Sequence, residues 1–521
     1  GEMNADPEAS AAARPLLTDL YQATMALGYW RAGRARDQAE FELYFRRCPF
    51  GGAFALAAGL RDCVRFLRNL PPAGHVQFLA SVLPSDTDPA FFEHLRTLDC
   101  SGVTVRALPE GSLAFPSVPL LQVSGPLLVV QLLETPLLCL VSYASLIATN
   151  AARLRLIAGP TKRLLEMGLR RAQGPDGGLT ASTYSYLGGF DGSSNVLAGQ
   201  LRGVPLAGTL AHSFVTSFSG AEVPPDPVSI PLSSATWLHV WRHGWKRVCA
   251  HLGLGVQEPH RGERAAFVAY ALAFPRAFQG LLDTYSVQRS GLPNFLAVAL
   301  ALGELGYRAQ AQEIRRVFRT VSAQFQMPWL ESVPIAVSNN IDEEELARLA
   351  QEGSEVNVIG IGTTVVTCPR QPSLGCVYKL VSVGGQPRMK LTEDPEKQTL
   401  PGSKAAFRLL GSDGSLLMDV LQLAEEPPPQ PGQELRVWPR GAREACVVRP
   451  AHVEPLLRLC IQQGQLCGPL PSLAESRAFA QLSLGRLNPE HKRLEQPAPY
   501  QVALSDELQA LVDRLSTGGS S

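Results

Sequence analysis

In Thr209-Leu210-Ala211-His212-Ser213 one imidazole sits between two hydroxyl residues, directly after a short apolar strand expected at Val204 to Thr209. Such a histidine can act as a base, a metal ligand or a phosphoryl acceptor, although a lone histidine is more often a satisfied structural residue. His239, His243 and His251 lie at irregular spacing in a Trp-rich stretch, and His75, His94, His260, His452 and His491 belong to no evident constellation. Three further segments suit anions or the sugars that carry them. Gly168-Leu169-Arg170-Arg171-Ala172-Gln173-Gly174 presents paired guanidinium groups, whose forked donors match a diphosphate or a carboxylate. Val358-Ile359-Gly360-Ile361-Gly362-Thr363-Thr364 joins glycines that admit a ligand to the backbone with hydroxyls and N–H groups suited to a phosphate. Leu282-Asp283-Thr284-Tyr285-Ser286 sets a carboxylate near a strand end, where it can hold Mg2+ or a ribose hydroxyl. Each has a plain alternative: a solvated basic helix end, a tight strand exit, or a loop aspartate capping a turn. Tyr21 alone reads as a core or interface aromatic. The signal is their coincidence at successive strand ends.

Those strand ends need a frame. From about 160 to 380 strand, short polar loop and helix alternate. Strands are expected at Thr180 to Leu187, Val204 to Thr209, Gly280 to Tyr285, Pro334 to Ser338 and Val356 to Ile361. Helices are expected at Ser193 to Leu201 and Leu292 to Leu305. This alternation predicts a parallel sheet, and the number of units favours a barrel, whose chemistry collects at one mouth. One place breaks the rule. The helix ending near Tyr307 runs almost directly into another, Gln310 to Phe325, with no strand between them.

The flanks differ in texture. Before about 145 there are an N-terminal helix, Leu17 to Ala32, an alternating strand, Glu40 to Arg47, and a long helix from Thr135. After about 385, Ala405 to Leu409 and Leu416 to Leu421 flank Gly411-Ser412-Asp413-Gly414 as a hairpin. We therefore expect three parts, 1–145, 146–385 and 386–521. Lys plus Arg equals Asp plus Glu at 47 each, so no global field draws nucleic acid or an acidic membrane. No uninterrupted apolar run of the length of a membrane span occurs. The ten cysteines form no C-x-x-C pair, and no basic-then-apolar leader opens the chain, which predicts reduced thiols in the cytosol.

Taken in order, these segments closely resemble the nicotinate phosphoribosyltransferase family, most of all its vertebrate form. The matching stretches are Leu17-Thr18-Asp19-Leu20-Tyr21-Gln22, Glu166-Met167-Gly168-Leu169-Arg170-Arg171-Ala172-Gln173-Gly174 and Gly188-Gly189-Phe190-Asp191-Gly192-Ser193-Ser194-Asn195. Others are Gly208-Thr209-Leu210-Ala211-His212-Ser213, Asp283-Thr284-Tyr285, Gly360-Ile361-Gly362-Thr363-Thr364 and Pro401-Gly402-Ser403-Lys404. The resemblance implies a type II phosphoribosyltransferase fold: an irregular, incomplete α/β barrel plus a second α/β domain formed by the N- and C-terminal parts. It implies a homodimer with shared sites and ATP-dependent synthesis of nicotinate mononucleotide and diphosphate from nicotinate and 5-phosphoribosyl 1-diphosphate. Mg2+ or Mn2+ is implied as cofactor, with its ligands unassigned. His212 becomes the phosphorylated histidine, and Thr209 and Ser213 orient it or bind nicotinate. Arg170 and Arg171 take the diphosphate or the nicotinate carboxylate. Gly360, Gly362, Thr363 and Thr364 bind substrate, the 5′-phosphate above all, and Asp283 binds substrate too. Tyr21 stacks on the pyridine ring from the partner subunit.

One departure coincides with the missing strand. The family carries Arg-Leu-Asp-Ser-Gly-Asp after the helix Leu292 to Leu305, whereas this chain passes from Tyr307-Arg308-Ala309 straight to Gln310-Ala311-Gln312. A true deletion there removes a barrel strand and a nicotinate-binding arginine, and predicts an inactive, non-catalytic relative. Other rivals are a nicotinamide phosphoribosyltransferase and a barrel glycosidase using Asp191 and Asp283 as paired carboxylates.

Overall fold

The computed structural model describes residues 15–70, 75–208, 210–221, 244–304, 315–325, 330, 333–338, 340–392 and 397–517. At its centre lies the 25-residue helix Glu134–Ala158. By length and composition this helix could cross a membrane, but most of it is buried in the fold as a core helix. Beside it lies a parallel sheet of four short strands in the order Gly192–Ser193, Arg163–Glu166, Val358–Ile361, Ala336–Val337. Leu165 stands opposite both Gly192 and Gly360, and Glu166 opposite both Ser193 and Ile361. The strand ends therefore lie level. This open half-barrel is the mouth that the alternation predicted.

The expected strands at Pro334 to Ser338 and Val356 to Ile361 are present, shortened to Ala336–Val337 and Val358–Ile361. Thr180 to Leu187 is not a strand; it lies in the helix Gly174–Gly188. Its hydroxyl residues mislead because their side chains bond within the helix, Ser182 to the carbonyl of Gly178 and Thr183 to that of Leu179. The helix also packs very closely on Glu134–Ala158. A Cβ on Gly188 would come within 2.3 Å of the Ala148 carbonyl oxygen. Gly280 to Tyr285 is likewise no strand, because Phe295 fills the space beside Gly280 and the chain then turns through the π-helical turn Val287–Gly291. Among the described residues of Val204 to Thr209, only Leu206 bridges to the sheet, at Ser193.

The two ends of the chain build the second domain together. Its seven-stranded antiparallel sheet runs Gln386–Pro387, Cys376–Val383, Gln38–Phe45, Leu121–Pro126, Thr104–Ala107, Arg458–Gln462, Gln465–Leu466. Cys376–Val383 falls in the stretch expected to belong to the barrel, yet it pairs with Gln38–Phe45. A six-stranded sheet follows, and the expected hairpin forms within it as Lys404–Leu410 and Leu416–Leu423. A fully buried ion pair joins the sheets. Lys404 Nζ lies 3.2 Å from Glu42 Oε2 and donates to the carbonyls of Leu400 and Gly402, while Gln122 donates to Glu42 Oε1. Removing one member strands a charge in the core, so Lys404→Met is expected to cost about 3–5 kcal/mol. Urea unfolding checks this, and Glu42→Leu combined with Lys404→Met should recover most of the loss.

Candidate functional site

Glu166, the last residue of Arg163–Glu166, is wholly buried at the sheet's C-terminal edge. Its carboxylate accepts from the Gly168 amide, from Ser182 Oγ at 2.7 Å and from Ser193 Oγ at 2.5 Å. Asn195 completes the cluster, donating to Ser182 Oγ through Nδ2 and to Ser193 Oγ through its backbone amide, while its Oδ1 caps the helix Val196–Arg202. One carboxylate thus fixes the loops that leave two neighbouring strands.

The Gly168 loop carries the arginines. Arg170 and Arg171 lie in the turn Leu169–Arg171, exposed, with no side-chain hydrogen bond or ion pair among the described residues. Gly168 packs so tightly on the next loop that a Cβ would meet Val366 Cγ1 at 2.5 Å and the Gly362 carbonyl oxygen at 2.7 Å. The arginines are thereby seated beside Gly362, which precedes the helix Thr363–Thr367. Thr363 and Thr364 open that helix, so their amides have no intrahelical acceptor. The long central helix steadies the loop through Asn150 to the Thr364 carbonyl (2.9 Å) and Tyr143 to the Val366 carbonyl (2.5 Å). Gly360 sits earlier, buried inside its strand, where a Cβ would meet Met167 Sδ at 2.6 Å. Its lack of a side chain is needed for packing.

His212 opens the short helix His212–Thr216 and is exposed. Its Nδ1 lies 3.1 Å from Thr284 Oγ1, and its Nε2 lies 3.7 Å from Asp283 Oδ1. Two segments 72 positions apart in sequence thus meet at one imidazole. Ser213 is exposed beside it, whereas Thr209, His239 and His243 lie outside the described residues. Tyr21 is 46% exposed on the helix Leu20–Arg31, its hydroxyl 3.4 Å from Thr135 Oγ1, and no contact among the described residues brings it to His212.

Sequence reasoning missed a buried polar cluster that packs next to the Asp283–Tyr285 segment through His260. Glu263, wholly buried on the helix Arg261–Ala273, accepts from Ser290 Oγ at 2.5 Å and Asn294 Nδ2 at 3.1 Å. Ser290 Oγ also accepts from the His260 amide, and the His260 ring stacks on Tyr285 with centroids 3.8 Å apart. Burial pushes the Glu263 carboxyl above its ordinary range; Ser290 and Asn294 pull the other way, and Asp283 adds a smaller push upward. Glu263 Oε1 and Asn294 Oδ1 are both buried without a donor among the described residues. The signal was present as two polar side chains, Ser290 and Asn294, four apart before an apolar helix. Only the fold shows that they converge on Glu263.

Asp191 does not face this mouth. It accepts from the Leu164 amide at the start of the central strand and pairs with Arg155 (2.5 Å) and Arg477 (3.1 Å). That removes the paired carboxylates a glycosidase needs. Among the described residues no group of three His, Cys, Asp or Glu could hold a metal unaided. The arrangement is instead one nucleophilic ring, two unengaged guanidiniums and a row of amides, which together suit a polyanion. At the departure noted in the sequence, the helix Leu292–Glu304 is followed by Arg315–Phe325, and the intervening residues 305–314 lie outside the described ones.

Comparison with known proteins agrees along the chain. A model of the nicotinate phosphoribosyltransferase (NAPRTase) N-terminal domain matches residues 16–142, and one of the nicotinate phosphoribosyltransferase C-terminal domain matches 403–512. The curated nicotinate phosphoribosyltransferases of Bos taurus and Homo sapiens are 84% and 82% identical, each over 536 aligned positions covering 99% of this chain and 99% of its own. Because 536 positions exceed the 521 residues of this chain, at least 15 of them face a gap in it. The crystal structure of human nicotinic acid phosphoribosyltransferase matches with a TM-score of 0.87 at 78% identity, over 96% of this chain and 100% of that one. A Pyrococcus furiosus nicotinate-nucleotide pyrophosphorylase matches at 0.60 and 19% identity, over 93% and 98%, a likeness of fold alone.

The contact between Gly168 and Gly362 gives a direct test. Gly168 has φ −102°, which alanine tolerates, so Gly168→Ala acts through steric displacement of the arginine loop. It is expected to weaken binding of inorganic diphosphate at least about tenfold, or about 1.4 kcal/mol, by calorimetric titration.

Proposed function

Because the chain belongs to the nicotinate phosphoribosyltransferase family, we propose that it couples ATP hydrolysis to nucleotide synthesis through a phosphate carried on His212. It is a phosphoribosyltransferase of NAD biosynthesis, joining nicotinate to 5-phosphoribosyl 1-diphosphate to give nicotinate mononucleotide and diphosphate. The observations that support the reading are the meeting of His212 with Asp283 and Thr284 and, separately, the seating of the Arg170 and Arg171 turn against Gly362. The attacking group is the pyridine nitrogen. It displaces diphosphate from ribose C1, and positive charge develops on the sugar as that bond breaks. Little covalent work falls to the protein; it must hold two anionic ends rigidly and neutralise the leaving charge. Arg170 and Arg171 take the diphosphate or the nicotinate carboxylate. The amides and hydroxyls of Thr363 and Thr364, exposed by Gly362, take the 5′-phosphate, and Gly360 keeps that strand close to Met167.

For the ATP step, the tautomer that carries its proton on Nε2, toward Asp283, has its lone pair on Nδ1, which must part from Thr284 Oγ1 to react. Nδ1 attacks the γ-phosphorus of ATP, ADP leaves, and Asp283 stabilises the cationic ring so formed. Thr284 orients the ring, and Ser213 and Thr209 flank it. Mg2+ or Mn2+ commonly binds through one or two carboxylates plus substrate phosphates, so the exposed Asp283 fits that role without a dedicated cage. The metal neutralises phosphate charge when bound. We place the enzyme in the cytosol as a homodimer, with Tyr21 reaching the partner's nicotinate; the exposed Leu20, Tyr21 and Leu169 support such a contact. The parts 1–145 and 386–521 supply most of the second domain, with the strand Cys376–Val383 added to its sheet.

A second reading has one observation behind it. At least 15 aligned positions of the relatives face a gap in this chain, which fits a chain whose barrel lacks one strand and whose grip on nicotinate is weakened. Inserting a strand-length segment with the Arg-Leu-Asp-Ser-Gly-Asp pattern between Ala309 and Gln310 is then expected to raise kcat/KM for nicotinate at least about tenfold. An unchanged value means that the site is already complete. The coupling itself is tested by His212→Ala, which should abolish ATP hydrolysis and acid-labile phosphorylation and leave slow, uncoupled phosphoribosyl transfer to nicotinate and not to nicotinamide. Undiminished phosphohistidine in that variant rules out the role of His212.

A further inference from the structure

Two cysteines remote from His212 face each other across a hairpin at the edge of the seven-stranded sheet. The strand Arg458–Gln462 turns back through Gln463 and Gly464 into Gln465–Leu466, the outermost strand on that side. Gln463 and Gly464 have φ of 47° and 74°, the two positive values that a two-residue hairpin turn requires, and such a turn fixes the register. Ile461 stands opposite Leu466 and Gln462 opposite Gln465, so one step further from the turn Cys460 stands opposite Cys467. The Cys467 amide donates to the Cys460 carbonyl at 2.9 Å, so the pairing reaches that far. Directly opposed residues of an antiparallel pair carry their side chains on the same face.

Their separation suits a covalent bond. Opposed residues of an antiparallel pair have Cα atoms about 4.5–5.5 Å apart, inside the about 4.4–6.8 Å that a disulfide spans. A hydrogen-bonded pair holds its Cβ atoms at the wide end of its range, so closure draws the strands together and leaves an easily reduced bond. The fold permits that movement. Gln465–Leu466 is two residues long and pairs only with Arg458–Gln462 among the described residues. Arg458–Gln462 in turn breaks register against Thr104–Ala107 between Leu459 and Ile461, at Cys460 itself, and such a bulge re-aims its side chain. The two thiols differ in access. Cys467 is exposed, with a weak bond to the Gln465 carbonyl. Cys460 is half-buried; burial pushes its thiol up to about 11, and the neighbouring Cys467 and Glu110 push the same way. Cys63 also lies close enough to feel the charge of Cys460, but it is buried.

We propose that Cys460 and Cys467 form a redox-active dithiol, closed reversibly to a disulfide by a low-molecular-weight disulfide of the glutathione type. The Cys467 thiolate attacks one sulfur of the oxidant and displaces the first thiolate, giving a mixed disulfide. Cys460 then gives its proton to the solvent and attacks Cys467 Sγ, displacing the second thiolate. Two protein thiols are oxidised and one external disulfide is reduced to two thiols. Excess reduced glutathione runs both steps backward. The closed bond ties down the start of the segment that leads through Pro471 to the helix Leu473–Arg486, whose Arg477 donates to the carbonyls of Gly189 and Phe190. Neither thiol is among the groups around His212, so the dithiol stands apart from the proposed reaction.

Both cysteines fall in one tryptic peptide, Leu459 to Arg477, with no Lys or Arg between its ends. The full chain is incubated with oxidised glutathione, its free thiols are alkylated, and the mass of that peptide is measured. The expected peptide carries no alkyl group and is lighter than its reduced form by two hydrogens. After treatment with reduced glutathione it should return to the doubly alkylated form. Cys460→Ser is expected to stall as a glutathione adduct on Cys467, whereas Cys467→Ser should gain no adduct on Cys460. A doubly alkylated peptide after oxidation, a lasting glutathione adduct in the parent, or a bond from either residue to Cys63, Cys446 or a second chain overturns the proposal. So does an adduct on Cys460 in Cys467→Ser that forms as fast as the one on Cys467 in Cys460→Ser.

Discussion

A single buried carboxylate sets the geometry on which the mouth of the barrel depends. Glu166 ends the central strand and receives the Gly168 amide, Ser182 and Ser193 at once. An ionised carboxylate in a low-dielectric interior is tolerable only when its oxygens are saturated by donors. Those donors must come from the loop after its own strand, from the helix behind it and from the neighbouring strand. Electrostatic need in one side chain thereby dictates where three pieces of backbone lie.

The consequences spread by contact. With Gly168 fixed, the arginine turn can sit only where the Gly362 loop leaves room, because Gly168 and Gly362 touch backbone to backbone. The Gly362 loop is in turn held from below by Asn150 and Tyr143 of the central helix. A second buried acid, Glu263, gathers Ser290 and Asn294, and Ser290 in turn takes the His260 amide, whose ring stacks on Tyr285 next to Asp283 and Thr284. Arg170, Arg171 and His212 remain exposed and lightly engaged, as groups waiting for a charged substrate should be.

Much of this was legible before any coordinates. The order of the motifs carried the family and the fold, and the strand at Val358–Ile361 with its glycine loop stands where its pattern placed it. Arg170, Arg171, Gly362, Thr363, Asp283 and His212 stand out by residue type, and the fold gathers them into two groups, the arginine turn against the Gly362 loop and His212 against Asp283. What could not be read was side-chain convergence. Ser182 and Ser193 look like ordinary hydroxyls until Glu166 is seen between them, and Thr180 to Leu187 imitates a strand because a buried helix can carry hydroxyl and aromatic residues on every side. Gly360 looked like part of a phosphate cradle, yet its missing side chain makes room for Met167. Asp191 looked like a candidate acid and proved to be a clamp for Arg155 and Arg477.

If the loops fixed by Glu166 form one anion-binding surface, a crystal structure of the chain with 5-phosphoribosyl 1-diphosphate bound will show the diphosphate against Arg170 and Arg171, the 5′-phosphate on the amides of Thr363 and Thr364, and ribose C1 turned toward His212. A ligand seated elsewhere, with those arginines and amides still facing solvent, would contradict it.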